Sequence, residues 1–219
     1  MVILVAIALT IVAVMLKPKQ QYNQRVEKMQ NILISVHIES TTKNAEELFK
    51  KYIVESLVVD DKGNVKAGIK AFDVEMQVEN KKKPEERNLP IFICAKDNGQ
   101  KFYIVPVRGK GLWGPIWGYV SFHEDLNTIE GTQFGHKGET PGLGAEINTP
   151  KFQDQFVSKK ILKEDGSFVS INVVKGGTPD SDMHGVDAIS GGTITSKGLE
   201  AMLRDCLKEY TAYLEKIRK

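Results

Sequence analysis

The chain has 219 residues, 41% apolar and 26% charged, the make-up of a folded globular protein rather than a disordered one. Its 30 basic and 28 acidic side chains leave a net charge of +2, and no basic stripe with interleaved aromatics appears, so there is no electrostatic case for nucleic acid. Two cysteines and four histidines, none at metal-ligand spacing, argue against a metal site.

Met1 to Leu16 is apolar except for Thr10, and the first charge is Lys17. At ~1.5 Å per residue this helix spans about 24 Å, short of the ~30 Å hydrocarbon core. A signal peptide would need a basic start and a small-residue cleavage site. A buried core helix would need a polar face. A single membrane anchor over residues 1–16 fits best, with an incomplete start or closure by a partner's helix left open. Lys17, Lys19, Arg25 and Lys28 follow the anchor. By the positive-inside tendency they favour a cytoplasmic domain, but only one flank is available for the comparison. A lone anchor without an acid inside it argues against a role in moving sodium.

Helical spacing continues from Gln20 to Leu33 as a stalk (residues 17–40), and residues 41–219 form the domain that follows. Thr41 and Thr42 cap a second helix expected near Lys43 to Leu57. Val58-Val59, Asp60 to Asn64 and Val65 read as a hairpin turn between strands. Asn80 to Pro90 is a charged surface loop. Asp97-Asn98-Gly99-Gln100 between two β-rich runs is a strong hairpin signal. Arg108 to Tyr119 holds four glycines, two tryptophans and a proline, so it reads as a shaped loop, or more plainly as a turn with both tryptophans packed on the core. Tyr119 to Phe122 and Leu126 to Phe134 look like strands. Gly135 to Glu146 is a second glycine-rich loop. A short helix is expected within Thr149 to Leu162 and a strand over Phe168 to Val174. Leu199, Met202, Leu203, Cys206, Leu207, Tyr210, Leu214 and Ile217 recur at 3–4 spacing, marking a C-terminal helix with one face on the sheet. The whole is α+β: a single N-terminal transmembrane helix, then antiparallel strands flanked by helices. Cys94 and Cys206 read as two buried thiols, with a disulfide possible outside the cytoplasm.

The chemistry concentrates in Asp187-Ala188-Ile189-Ser190-Gly191-Gly192-Thr193-Ile194-Thr195-Ser196. Glycines admit close backbone approach, and the following helix start suits a phosphate. A capped turn explains the same residues. Ser190 lacks the Gly-x-Ser-x-Gly context of a hydrolase nucleophile, and no phosphate-binding Gly-Lys-Ser/Thr loop occurs. Glu139 reads either as a general base or polar partner to a heterocycle, or as a solvated loop acid. His184 is a surface or capping residue. No acid–base catalytic residue is assigned. Together the two glycine-rich loops, the Trp loop and the helix start suggest an apolar slot with a phosphate end, suited to a flat cofactor.

Ser190-Gly191-Gly192-Thr193 after Asp187, Glu139-Thr140-Pro141-Gly142-Leu143-Gly144, and the Gly111 to Tyr119 loop behind an N-terminal anchor resemble the covalent FMN-binding domain family. The resemblance implies FMN esterified through its phosphate to Thr193 by a separate flavin transferase. It implies ring contacts from Glu139, Thr140, Leu143 and Gly144, with Trp113 beside them. Ser190, Gly191, Gly192, Ile194 and Thr195 flank the attachment point, and Lys197 offsets the phosphodiester charge. It also implies an electron carrier on the outer face of the cytoplasmic membrane, against the positive-inside hint. The host that the resemblance implies is a sodium-pumping NADH:quinone reductase with its other membrane subunits, or else the Rnf electron-transport complex. A membrane-anchored, non-redox assembly domain is the alternative from a different class. Gly192 stands where the family usually has Ala, a change expected to be mild. Thr195 and Ser196 are fallback acceptors better placed as helix caps.

Overall fold

The computed structural model describes residues 1–218. Helix α1 (Val2–Ile34) joins the anchor and the stalk in one rod, through Pro18. Proline's missing N–H removes one backbone bond at the junction. The apolar half is exposed throughout and is long and apolar enough to cross a membrane. The other half is amphipathic: Val26, Ile32 and Leu33 are buried. The helix stops at a turn where His37 takes φ +58° and the Ile38 N–H donates to the Leu33 carbonyl over 3.0 Å. That is the left-handed closure of a helix C-terminus.

Helix α2 (Ala45–Tyr52) is shorter than expected, because strand β1 (Ile53–Val59) begins at once. Pairing with strand β2 (Leu89–Ala95) claims these residues, and β-branched Ile53 and Val54 suit it. The Asp60–Asn64 turn forms as read: the Asp60 carboxylate accepts the Lys62 and Asn64 N–H groups at 2.9 and 2.8 Å. Its return leg is a single bridge from Val59 to Val65 rather than a strand. Short helix α3 (Met76–Glu79) precedes β2. Strands β3 (Lys101–Lys110), β4 (Pro115–Phe122) and β5 (Ile129–His136) complete an antiparallel meander in the order β1-β2-β3-β4-β5. Gly99, at φ +83°, makes the predicted β2–β3 turn possible. After α4 (Pro150–Gln153), strands β6 (Asn172–Val174) and β7 (Gly185–Asp187) pair in parallel. Helix α5 (Thr193–Arg218) ends the described chain.

The sheet lies between two helical layers. Leu199, Met202, Leu203, Cys206, Leu207, Tyr210 and Leu214 of α5 pack on one face, as the spacing indicated. Tyr213 joins them, while Ile217 is exposed. The end of α1 and half-buried residues of α2 cover part of the other face through Ile32, Val36, Phe49 and Tyr52. Fully burying each large apolar side chain contributes roughly 1.5–3 kcal/mol, so both layers matter to stability. Cys94 and Cys206 belong to opposite faces and are free buried thiols, each pushed up to about 11 by burial.

Candidate flavin site at the start of the C-terminal helix

The site depends on how closely α5 approaches β3. A Cβ on Gly198 would strike the Lys110 carbonyl, and one on Gly109 would lie 2.7 Å from Met202 Cβ. Two missing side chains thus let the first turns of the helix rest on the β3–β4 hairpin tip. The expected irregular loop is only this tip, Gly111 to Gly114, closed by the Gly111 N–H to the Gly114 carbonyl at 2.8 Å. Residues 108–110 and 115–119, read as loop, are strand: ladder pairing outweighs the local glycines, and Pro115 sits at the strand's first position.

Glu139 fastens these pieces together. Its Oε1 accepts the Trp113 N–H at 2.9 Å, and its Oε2 accepts the Thr195 hydroxyl at 2.5 Å. The backbone N–H groups of Leu112 and Gly114 also favour the charged form. Burial alone would raise the Glu139 pKa, but these donors outweigh it and hold the carboxyl below its ordinary range. With both oxygens committed, Glu139 is neither a solvated loop acid nor a free general base. The space is tight: a Cβ on Gly144 would collide with the Thr195 hydroxyl and lie 2.6 Å from Glu139 Oε2.

The segment from Ser190 to Thr193 turns sharply. Gly191 has φ +73°, and a Cβ there would meet Leu143 Cδ2 at 2.6 Å. The Gly192 N–H donates to the Ile189 carbonyl at 3.0 Å, and the Ser196 N–H to the Gly192 carbonyl at 2.9 Å. Thr193 is the first helical residue and is exposed. The amides of Thr193, Ile194 and Thr195 are those that a helix start leaves without intrahelical partners. Thr195 and Ser196 are not terminal caps in solvent but buried groups, each 1% exposed. The Ser196 hydroxyl accepts the Ile189 N–H at 3.1 Å.

A cleft of about 210 Å³ results, between the hairpin tip, the Thr140 to Gly144 loop and the helix start. Of the residues the sequence singled out, Trp113, Glu139, Thr140, Leu143, Gly144, Gly191, Gly192, Thr193, Ile194 and Thr195 all line it. Ser190 instead edges a neighbouring groove of about 680 Å³, and Lys197 is exposed outside the cleft. Leu112 lines the cleft and was missed; its place between Gly111 and Trp113 at a hairpin tip was the available signal. Trp113, for which the sequence left open a place beside the ring or in the core, is 70% exposed, and Leu112, Leu143 and Ile194 are exposed beside it. Four large apolar side chains left in water around one cleft are a patch that calls for a ligand. At Gly192, where the family usually has Ala, Ile189 stands beside the backbone. An Ala methyl would lie 2.9 Å from Ile189 Cγ2, so Ile189 occupies the space it would take.

These features fit FMN: an exposed hydroxyl at a helix start for the phosphate, and apolar walls for a flat ring. A family model described as "FMN-binding domain" matches residues 111–208, from the hairpin tip through most of α5. The C subunit of the Na(+)-translocating NADH-quinone reductase from Vibrio alginolyticus is 34% identical over 97% of this chain and 90% of its own length. Its counterpart from Pasteurella multocida is 33% identical over 99% of this chain and 92% of its own. The crystal structure of the C subunit from Parabacteroides distasonis superposes with a TM-score of 0.84 at 41% identity, covering 91% of this chain and 96% of that one. On fold, site and relatives together, the chain belongs to the family of C subunits of the Na(+)-translocating NADH-quinone reductases.

Proposed function

We propose that this chain is the membrane-anchored flavoprotein subunit of a sodium-pumping NADH:quinone oxidoreductase, with FMN joined through its phosphate to Thr193. The observation that carries the reading is the contrast among three nearby hydroxyls. Thr193 is exposed on the cleft rim, whereas Thr195 and Ser196 are buried and hydrogen-bonded. A flavin transferase needs an accessible oxygen, and Thr193 offers one. The N–H groups of the helix start favour the phosphate's negative charge, and exposed Lys197 lies one turn along the helix.

FMN, when bound, supplies the electron-carrying chemistry. The chain's own part is to place it. Leu112, Trp113, Leu143 and Ile194 offer apolar faces to the ring, and Glu139 locks the hairpin tip to the helix that bears Thr193. The walls of the cleft are themselves exposed, which leaves an edge of the ring open to a redox partner among the other membrane subunits. The family resemblance favours the outer side of the cytoplasmic membrane. Two of the four cations behind the anchor weigh little against it. Arg25 pairs with Asp73 at 3.4 Å, and Lys28 donates to the Phe72 and Val74 carbonyls. Relatives matching nearly the whole chain favour the quinone reductase over the Rnf complex as host.

The test is co-expression with a flavin transferase, then denaturing electrophoresis under ultraviolet light. A fluorescent band is expected for the wild type and for Thr193→Ser, and none for Thr193→Ala. A band that survives Thr193→Ala overturns the attachment site. No band in the wild type overturns the covalent reading.

A further inference from the structure

Glu139 is the one charged side chain that lines the cleft, and it is 4% exposed. Among the described residues it takes part in no ion pair. Its hydrogen-bond donors are neutral: the Thr195 hydroxyl and the backbone N–H groups of the hairpin tip. Neutral donors stabilise a carboxylate without cancelling its charge. A charge held where water is scarce acts on its surroundings much more strongly than one in bulk solvent.

We infer that Glu139 is a fixed negative charge that holds down the reduction potential of the cofactor in this cleft. The inference rests on the flavoprotein reading above. Glu139 acts here as a positioning residue through its field, since both its oxygens face the hairpin tip and the helix. An electron arriving in the cleft adds negative charge beside an anion that cannot move away. Reduction is therefore less favourable than it would be beside a neutral group. A purely mechanical role, as a clip between hairpin and helix, predicts something different: damage in proportion to lost fit, whatever the charge.

Two variants separate charge from fit in the full-length, flavin-bearing protein. Glu139→Gln keeps the size and removes the charge. Glu139→Asp keeps the charge but is one methylene too short to reach both donors. Spectroelectrochemical titration is expected to give a higher potential for Glu139→Gln. The expected rise is a tenfold change in the reduction equilibrium or more, about 59 mV for one electron. Glu139→Asp is expected to stay nearer the wild type than Glu139→Gln. Equal potentials for the wild type and Glu139→Gln, or a larger rise for Glu139→Asp, overturn the inference.

Should Glu139→Gln fail to accumulate, the wild-type protein decides. Its potential is followed downward from about pH 7 to well below the ordinary carboxylate value of ~4.3, because the Glu139 carboxyl is held lower than that. An extra rise as the buried carboxylate takes up its proton supports the charge, and a slope that stays constant across the protonation of Glu139, followed in the same folded protein by its carboxyl infrared band, overturns it. In-gel fluorescence of the same wild-type preparation tests the flavoprotein reading separately. A covalent band with an unmoved potential sinks this inference alone, and no band sinks the reading beneath it.

Discussion

At the residue scale, Glu139 holds three segments together: the hairpin tip, its own loop and the first turn of α5. Its pKa is held below the unfolded value of ~4.3. The stabilisation it gives is therefore complete above that value and is lost as the pH falls through the folded pKa. Thermal melts across the acid range are expected to show a drop in Tm for the wild type that is shallower in Glu139→Gln. Identical acid profiles would mean that Glu139 does not contribute to stability. Gly144→Ala, which sets a methyl against the Thr195 and Glu139 oxygens, is expected to cost about 1–3 kcal/mol by urea unfolding. The sequence marked Gly191 and Gly192 as places of close approach, legible because glycine's lack of a side chain is itself the signal, but it read Gly144 only as part of an irregular loop. The partners of Glu139 were not legible. Thr195 lies 56 residues away, and only the fold brings it to the carboxylate.

At the element scale, the site exists because a helix crosses a strand at glycines on both sides. Gly198→Ala would drive a methyl into the Lys110 carbonyl and lift the start of α5 from the hairpin tip. It is expected to destabilise the domain by ~1–3 kcal/mol. It should also reduce flavin attachment in the gel assay, even though Gly198 does not line the cleft; unchanged attachment and stability would mean that the crossing does not set the site. The apolar stripe of α5 could be read from its 3–4 spacing, since helical period and burial coincide there. The end of α2 could not, because Ile53 to Val59 owe their strand conformation to pairing with Leu89 to Cys94, a long-range contact. The same holds for the strands on either side of the Trp-bearing tip. Local glycine content pointed to a loop, but the β3–β4 ladder outweighs it.

At the scale of the whole molecule, one rod serves two solvents. The N-terminal part of α1 is exposed and apolar, while Ile32, Leu33 and Val36, at its end and just beyond, are fully buried, Ile32 and Val36 in the cluster on the second face of the sheet. Removing residues 1–16 is expected to give a water-soluble domain with an unchanged Tm. Removal through Val36 takes these three core side chains with it and is expected to cost more than about 4 kcal/mol. Charge begins at Lys17, and the apolar part of α1 before it was legible from composition alone. The stalk's packing was not, because its buried residues meet partners far along the chain. Orientation has a direct readout as well. Both native thiols are buried, so Lys163→Cys, in an exposed loop, provides the accessible thiol. In intact cells this cysteine should react with a membrane-impermeant maleimide if the domain faces outward. Labelling only after lysis would place it inside.

The central claim is that Thr193, and not a neighbouring hydroxyl, carries the flavin. Between Lys175 and Lys197 lie Thr178, Ser181, Ser190, Thr193, Thr195 and Ser196, all within one tryptic peptide. Tandem mass spectrometry of that peptide from co-expressed protein distinguishes them. Attachment at Thr193 predicts a mass gain of one FMN less one water, retained only by fragments that contain Thr193. The same gain on fragments that lack Thr193, or an unmodified peptide, would contradict it.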